Sequence, residues 1–186
     1  MVKNLITFDK NPYNHIKIID LIDESDYMKW EILDYHNQKF ILDNIVGQTP
    51  FTRKGHSNFL KLLPTLKRKQ YITYFDNRAI GKVSFTPVDY GWDIFSYHLF
   101  HENDLGKGYG FLMVAAFFLY GFVNLHICKL TTTVRLFNYA SMRILQCLGC
   151  RIEKQDNQLF YLICTEKDYM SEKEKVSSIL AKKFFS

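Results

Sequence analysis

The stretch 109–123 of this 186-residue chain reads YGFLMVAAFFLYGFV without one charged side chain, and it follows directly on a turn-like DLGKG at 104–108. A helix that is apolar on every side must be covered on every side, so the fold has to wrap this segment. It is shorter than the ~20 residues that span a membrane, and it begins in a glycine turn instead of at a charged anchor. A buried core helix is expected, and no membrane partner. Gly106, Gly108 and Gly110 allow a tight turn and a close approach, while the first N–H groups of the helix point back along its axis. Free donors and a positive field in one place make an anion site. Two familiar phosphate loops do not fit. There is no Gly-Lys-Ser/Thr ending, and Phe111 or Met113 stands where Gly-x-Gly-x-x-Gly would require its third glycine.

The rest of the chain is ample cover for such a helix. Hydrophobic residues make up 47% and aromatics 16% of it, enough for one substantial core, so a single domain is expected, with 166–186 as a helical extension of a core at 1–165. Asn4, Asp9 and Asn11 interrupt the amino terminus, no secretory signal is visible, and a cytoplasmic protein follows by default. The net charge of +5 is mild and implies no nucleic-acid partner. Arg53, Lys54, Lys61 and 67–69 either attract an anionic substrate or form a solvated face. Cys147 and Cys150 form Cys-x-x-Cys, but Cys128 and Cys164 are not spaced to complete a metal site, so no metal is expected.

Periodicity orders the elements. A first strand is expected at 15–22, then N-cap candidates at 23–26 ahead of a helix at 27–35. A polar connection around a short helix at 40–44 leads through 45–52 to a second helix at 56–66, bent or ended by Pro64. Strands at 70–75 and 79–86 flank an Asp76-Asn77 turn, Pro87 closes the second, and an aromatic strand at 92–100 runs up to the glycine loop. After the core helix come a strand at 129–135, a helix at 138–148, and strands at 151–154 and 159–164. The tail 166–186 reads as an amphipathic helix with Tyr169, Val176, Ile179, Leu180 and Phe184 among charges. It either packs on the domain, covers the substrate opening or joins a partner chain, and a homodimer stays open. The order suits an α+β fold and not a doubly wound one.

The glycine loop resembles the pyrophosphate loop of the GNAT superfamily of N-acetyltransferases, Gln/Arg-x-x-Gly-x-Gly/Ala at a helix start. Gly108 and Gly110 match, and Leu105 departs, removing a side-chain contact while leaving the backbone amides. A second landmark, Asn-x-x-Ala/Ser followed by Leu-Gly-Phe, reads here as Asn138, Ser141, Leu148, Gly149 and Cys150. The resemblance covers roughly 15–164. It implies a central, mostly antiparallel mixed sheet flanked by helices and splayed between the fourth and fifth strands, with acetyl-CoA as co-substrate in the gap between 92–100 and 129–135. Leu105, Gly106, Lys107, Gly108, Tyr109, Gly110, Asn138 and Ser141 would then hold the cofactor. Lys107 to Gly110 would offer backbone N–H groups to its pyrophosphate, and Asn138 would bond the pantetheine arm or cap its own helix.

The implied chemistry is direct attack of an amine on the thioester, which needs a base, an oxyanion donor and a proton for the thiolate. A backbone amide near Tyr97 or His98 is the expected oxyanion donor. The tyrosine that many relatives place seven residues after the asparagine is Leu145 here, which donates nothing. Ser141, by resemblance to ribosomal-type members, or Tyr139 replaces it, with a serine bonded to its own helix as the plainer reading of Ser141. Asp93, His98 and Glu102 are the candidate bases. The segment 33–63 is similar to the amino-sugar-nucleotide N-acetyltransferases of the pseudaminic acid pathway, through His36-Asn37 and His56, Phe59, Leu60. That implies an amine on a nucleotide-linked sugar as acceptor, with His36, Asn37, Arg53 and His56 binding it. A ribosomal-type transferase acting on protein N-termini and a non-catalytic acyl-CoA-binding module are the alternatives.

Overall fold

The computed structural model describes residues 5–8, 12–45 and 49–185. Eight strands form one sheet in the order β1-β2-β3-β4-β5-β6-β8-β7. They are β1 Leu5–Thr7, β2 Ile16–Asp20, β3 Lys69–Phe75, β4 Arg78–Val88, β5 Gly91–Leu99, β6 Lys129–Arg135, β7 Arg151–Gln155 and β8 Leu159–Thr165. Every neighbouring pair is antiparallel except β5 and β6. The α-helices among the described residues are α1 Asp26–His36, α2 Lys39–Leu42, α3 Arg53–Leu62, α4 Tyr109–Leu119, α5 Tyr139–Cys147 and α6 Glu166–Phe184.

This is the expected α+β order, with boundaries moved by identifiable causes. β1 precedes the first strand read from the sequence, so the fourth and fifth strands of that reading are β5 and β6. The strand expected at 15–22 ends at Asp20, whose carboxylate accepts the Ile22 N–H at 3.1 Å and turns the chain into a 3-10 turn, Leu21–Asp23. Ser25 caps α1 through the Met28 N–H, and Thr52 caps α3 through the Gly55 N–H, starting it three residues earlier than expected. Pro64 falls in the 3-10 turn Leu63–Thr65 that follows α3. Pro87 does not close its strand. It pairs with Trp92 on β5, while the β3 pairing stops at Phe85, so its missing N–H deprives no neighbour. Of the connection expected at 45–52, residues 46–48 lie outside the described residues.

The apolar helix α4 is covered on both sides. Residues 112–118 are each at most 1% exposed. On the sheet side Phe117 packs against Phe85 and Trp92, with ring centroids 5.3 and 4.9 Å away. On the other side α6 lays Tyr169 against Phe122 at 5.3 Å and Phe118 at 6.0 Å. A capping box between Thr165 and Asp168 starts α6, which buries Tyr169, Val176 and Leu180 completely. Of the three roles left open for the tail, packing on the core is the one seen. No helix among the described residues is long and apolar enough to cross a membrane.

The functional geometry begins where β5 leaves β6. Their parallel pairing runs from Gly91↔Lys129 to Ile94↔Thr132 and stops there. Against β4, Ser84 faces Ser96 but Phe85 faces Ile94, so Phe95 is an inserted residue. Such a bulge bends and twists its strand. β6 meanwhile stays paired with β8 as far as Arg135↔Leu159. One strand bends, the other does not, and a cleft opens between them.

Candidate active site

The cleft measures about 340 Å³ and is bordered by Leu99, Leu105, Gly106, Gly110, Asn138 and Ser141. At its mouth Gly108 is the N-cap of α4, with φ 94° and no side-chain cap. The first helical bond recorded there is Leu112 N–H to the Gly108 carbonyl at 3.0 Å, so the amides of Tyr109, Gly110 and Phe111 precede the helical ladder. A diphosphate fits such a set of donors. Lys107, expected to offer its amide as well, instead donates it to the Asp104 carbonyl at 3.3 Å, closing the turn. The turn is braced from the sheet. Arg78 donates to both Asp104 carboxylate oxygens, at 2.7 and 3.2 Å, and its guanidinium lies over the Tyr109 ring. Neither partner of that bidentate pair was singled out by sequence, because they are 26 residues apart and meet only through the β3–β4 turn.

Asn138 Oδ1 accepts the Ser141 N–H at 3.1 Å, so it caps α5. Ser141 projects into the cleft, where its hydroxyl is hydrogen-bonded to the Tyr97 hydroxyl, which also lies 3.4 Å from the Ser141 carbonyl. Burial raises the Tyr97 pKa, outweighing the Ser141 bond that lowers it, so the phenol keeps its proton. Leu145 is fully buried in the core. Tyr97 is thus a polar donor that sequence reasoning named only for its backbone.

A second cavity of about 400 Å³ lies on the α1 and α3 side and is lined by Phe51, His56, Arg68, Gln70 and Lys82, among others. Lys82 is 3% exposed. Its hydrogen bond, to Gln70 Oε1, is 3.5 Å long, and it forms no ion pair among the described residues. Burial, with the Arg68 charge adding to it, lowers the Lys82 pKa to about 8. Lys82 is directly opposite His98 across the β4–β5 ladder, and His98 borders the first cleft. This pair joins the two cavities. Both His98 ring nitrogens are buried with no hydrogen-bond partner, and its pKa falls well below the usual histidine value through burial and the charges of Lys82 and His36.

The other expected site residues separate into those the fold gathers and those it does not. His56 is 1% exposed and donates Nε2–H to the Lys29 carbonyl at 2.6 Å, leaving Nδ1 without a partner in a residue that lines the second cavity. His36 stacks on Phe51, and burial holds its pKa down at about 4. The Asn37 amide is consumed by the Phe51 backbone, donating to its carbonyl at 2.9 Å and accepting its N–H at 2.8 Å. The His36-Asn37 pair therefore holds the cavity wall. Arg53 lies over Trp30, away from the cavity lining. Asp93 sits in the paired part of β5, accepting from Thr131 at 3.0 Å, and lines neither cavity. Tyr139 is 75% exposed beside a separate groove with Phe137 and Gln158, and Glu102 faces solvent in a 3-10 turn after β5. None of these three is brought to the cleft.

The mixed sheet with one parallel pair, flanked by helices, is the fold shared with known proteins. The family profile described as acetyltransferase (GNAT) domain matches residues 20–151, and the chain belongs to that family. That family makes it an acetyltransferase of the GNAT type. The N-acetyltransferase PseH of Campylobacter jejuni in complex with acetyl coenzyme A is 20% identical, covers 81% of this chain and 98% of its own, and superposes with a TM-score of 0.62. The aminoglycoside acetyltransferase AAC(6')-Ib with coenzyme A is 15% identical over 84% and 98%, with a TM-score of 0.71. A GNAT-family acetyltransferase of Bacillus anthracis is 18% identical over 88% and 99%, at 0.68. No curated protein sequence matches significantly.

Proposed function

We propose that the protein acetylates the primary amine of a small acceptor that also carries an anionic group, namely a nucleotide-linked amino sugar. The observation that carries this reading is Lys82, a cation withdrawn from water beside the cofactor cleft with no acid paired to it among the described residues. A buried charge without a partner is costly, and an anionic ligand is the partner that removes the cost. Arg68 adds a second positive charge to the cavity, and the His56 Nδ1 lone pair can accept from a sugar hydroxyl. PseH, which shares the fold, is an N-acetyltransferase, and separately the segment 33–63 resembles the amino-sugar-nucleotide N-acetyltransferases. AAC(6')-Ib also shares the fold, but a polycationic aminoglycoside would meet like charge at Lys82 and Arg68.

In this reading acetyl-CoA supplies a thioester carbonyl that accepts the amine. The amides of Tyr109, Gly110 and Phe111 hold its diphosphate, and the unpaired β6 side of β5 beyond Ile94 faces the arm. Burial first, and then the Lys82 charge, depress His98 and His36, and the same two causes lower the pKa of an ammonium placed there, so the acceptor reacts as the neutral, nucleophilic amine. His98, weak as a base, needs only to accept a hydrogen bond from it.

The test is release of free CoA thiol from acetyl-CoA in the presence of a UDP-linked 4-amino sugar, an aminoglycoside or a peptide with a free N-terminus. Turnover is expected with the first alone. Lys82→Met is expected to raise KM for that acceptor about tenfold or more, the worth of one charge-assisted contact, while CoA affinity stays unchanged. The pH dependence has a definite sign. Lys82 is cationic below about 8 and neutral above it, so kcat/KM for the anionic acceptor falls as pH rises through 8 in the wild type and not in Lys82→Met. Equal use of the aminoglycoside, or an unmoved KM in the variant, would sink the anionic-acceptor reading.

A further inference from the structure

We infer that Lys183, in the last turn of α6, is a counter-charge to the cofactor diphosphate, delivered to the α4 loop from beyond the residues that match the family. The inference rests on the cofactor reading of that loop. A Cβ built on Gly108 would lie 2.4 Å from Lys183 Cε and 2.7 Å from Cδ, with Nζ at 3.3 Å. The lysine stem therefore crosses the face of Gly108, in space that only glycine leaves free. Its position is fixed by the residues that follow. Phe184 packs on Tyr109 at 5.3 Å and on Phe75 at 5.6 Å, and Phe185 packs on His15 at 4.8 Å. The end of α6 is thus tied to the first residue of α4, and the ammonium is carried to the N-terminus of that helix.

Two further facts point the same way. Lys183 forms no ion pair or hydrogen bond among the described residues. Leu105, 52% exposed and lining the cleft, offers no side-chain donor there. α6, most of which lies beyond the family match at 20–151, brings a cation to the loop. A lysine in the last turn of any helix favours its own dipole. That role requires no particular contact, whereas a phosphate role requires the position over Gly108.

Calorimetry with CoA and with dephospho-CoA, which lacks the 3′-phosphate, separates the two. Lys183→Met keeps most of the packing stem and removes the charge. Lys167→Met removes the same charge from the exposed start of α6, roughly 24 Å away along the helix axis. Lys183→Met is expected to weaken both ligands about tenfold at low salt, with the difference shrinking at high salt as screening grows. Lys167→Met is expected to stay within about twofold, since so distant a surface charge is screened. The unliganded melting temperature of Lys183→Met should match the wild type, because the residue is exposed. Unchanged CoA affinity in Lys183→Met overturns the inference. So does a loss seen with CoA and absent with dephospho-CoA, which would assign the contact to the 3′-phosphate. A wild type that binds no CoA takes the cofactor reading down with it.

Discussion

Gly108→Val is expected to weaken CoA binding by on the order of a hundredfold while the protein still folds. The residue holds φ 94°, which a β-branched side chain avoids, at a cost of about 1–3 kcal/mol. A loop that relaxes to escape this strain turns the amides of Tyr109 and Gly110 away from the diphosphate, and each charge-assisted hydrogen bond lost is worth about 1.5–3 kcal/mol. Displacement of Lys183 by the new side chain adds to the loss. The unliganded melting temperature provides the control, since strain confined to the loop leaves the buried part of α4 in place. Wild-type affinity in Gly108→Val would mean the loop is not the diphosphate cradle, and a melting temperature lowered by more than a few degrees would mean that only general disruption was measured.

That loop was legible in the sequence because its signals are local: glycines, a helix start and an apolar run within twenty residues. The element order was legible for the same reason. What escaped depends on pairing. The bulge at Phe95, which opens the cleft, exists only in the register of β5 against β4. Lys82 is hidden differently. Lys82 and Ser84 share one face of β4, and a lysine and a serine on alternating positions read as a solvated face. Both are buried instead, and α1, α3 and the segment around Phe51 line the cavity that holds Lys82. Asn37 misled in the opposite sense, since a polar pair in a connecting segment suggests ligand contact while its amide serves the Phe51 backbone. Asp93 looked equivalent to His98 by sequence, but five residues along a strand separate the paired part of β5 from the splayed part.

Tyr97 and Ser141 are 44 residues apart, and the splay alone brings their hydroxyls together. With Leu145 buried and unable to donate, this pair is the polar group available to the sulfur as the carbon–sulfur bond breaks and its electron pair moves onto the thiolate. Tyr97→Phe and Ser141→Ala are each expected to lower kcat about a hundredfold, the usual contribution of a positioned donor. The double variant should be little worse than the weaker single one, because two groups acting as a unit are not additive. CoA affinity and melting temperature should hold in both singles. A purely structural role, Tyr97 anchoring α5 through Ser141, would reverse that pattern, lowering stability and affinity with kcat spared. The pH profile offers an independent reading. Tyr97 donates when protonated, and burial raises its pKa above the ordinary tyrosine value, so the donor persists throughout an assay range ending near pH ~10. Any alkaline fall in kcat/KM near 8 must then come from Lys82 and should survive Tyr97→Phe while vanishing in Lys82→Met. Unchanged kcat in both singles would remove the pair from the chemistry, leaving the departing thiolate to take its proton from water or from the nitrogen that has just attacked.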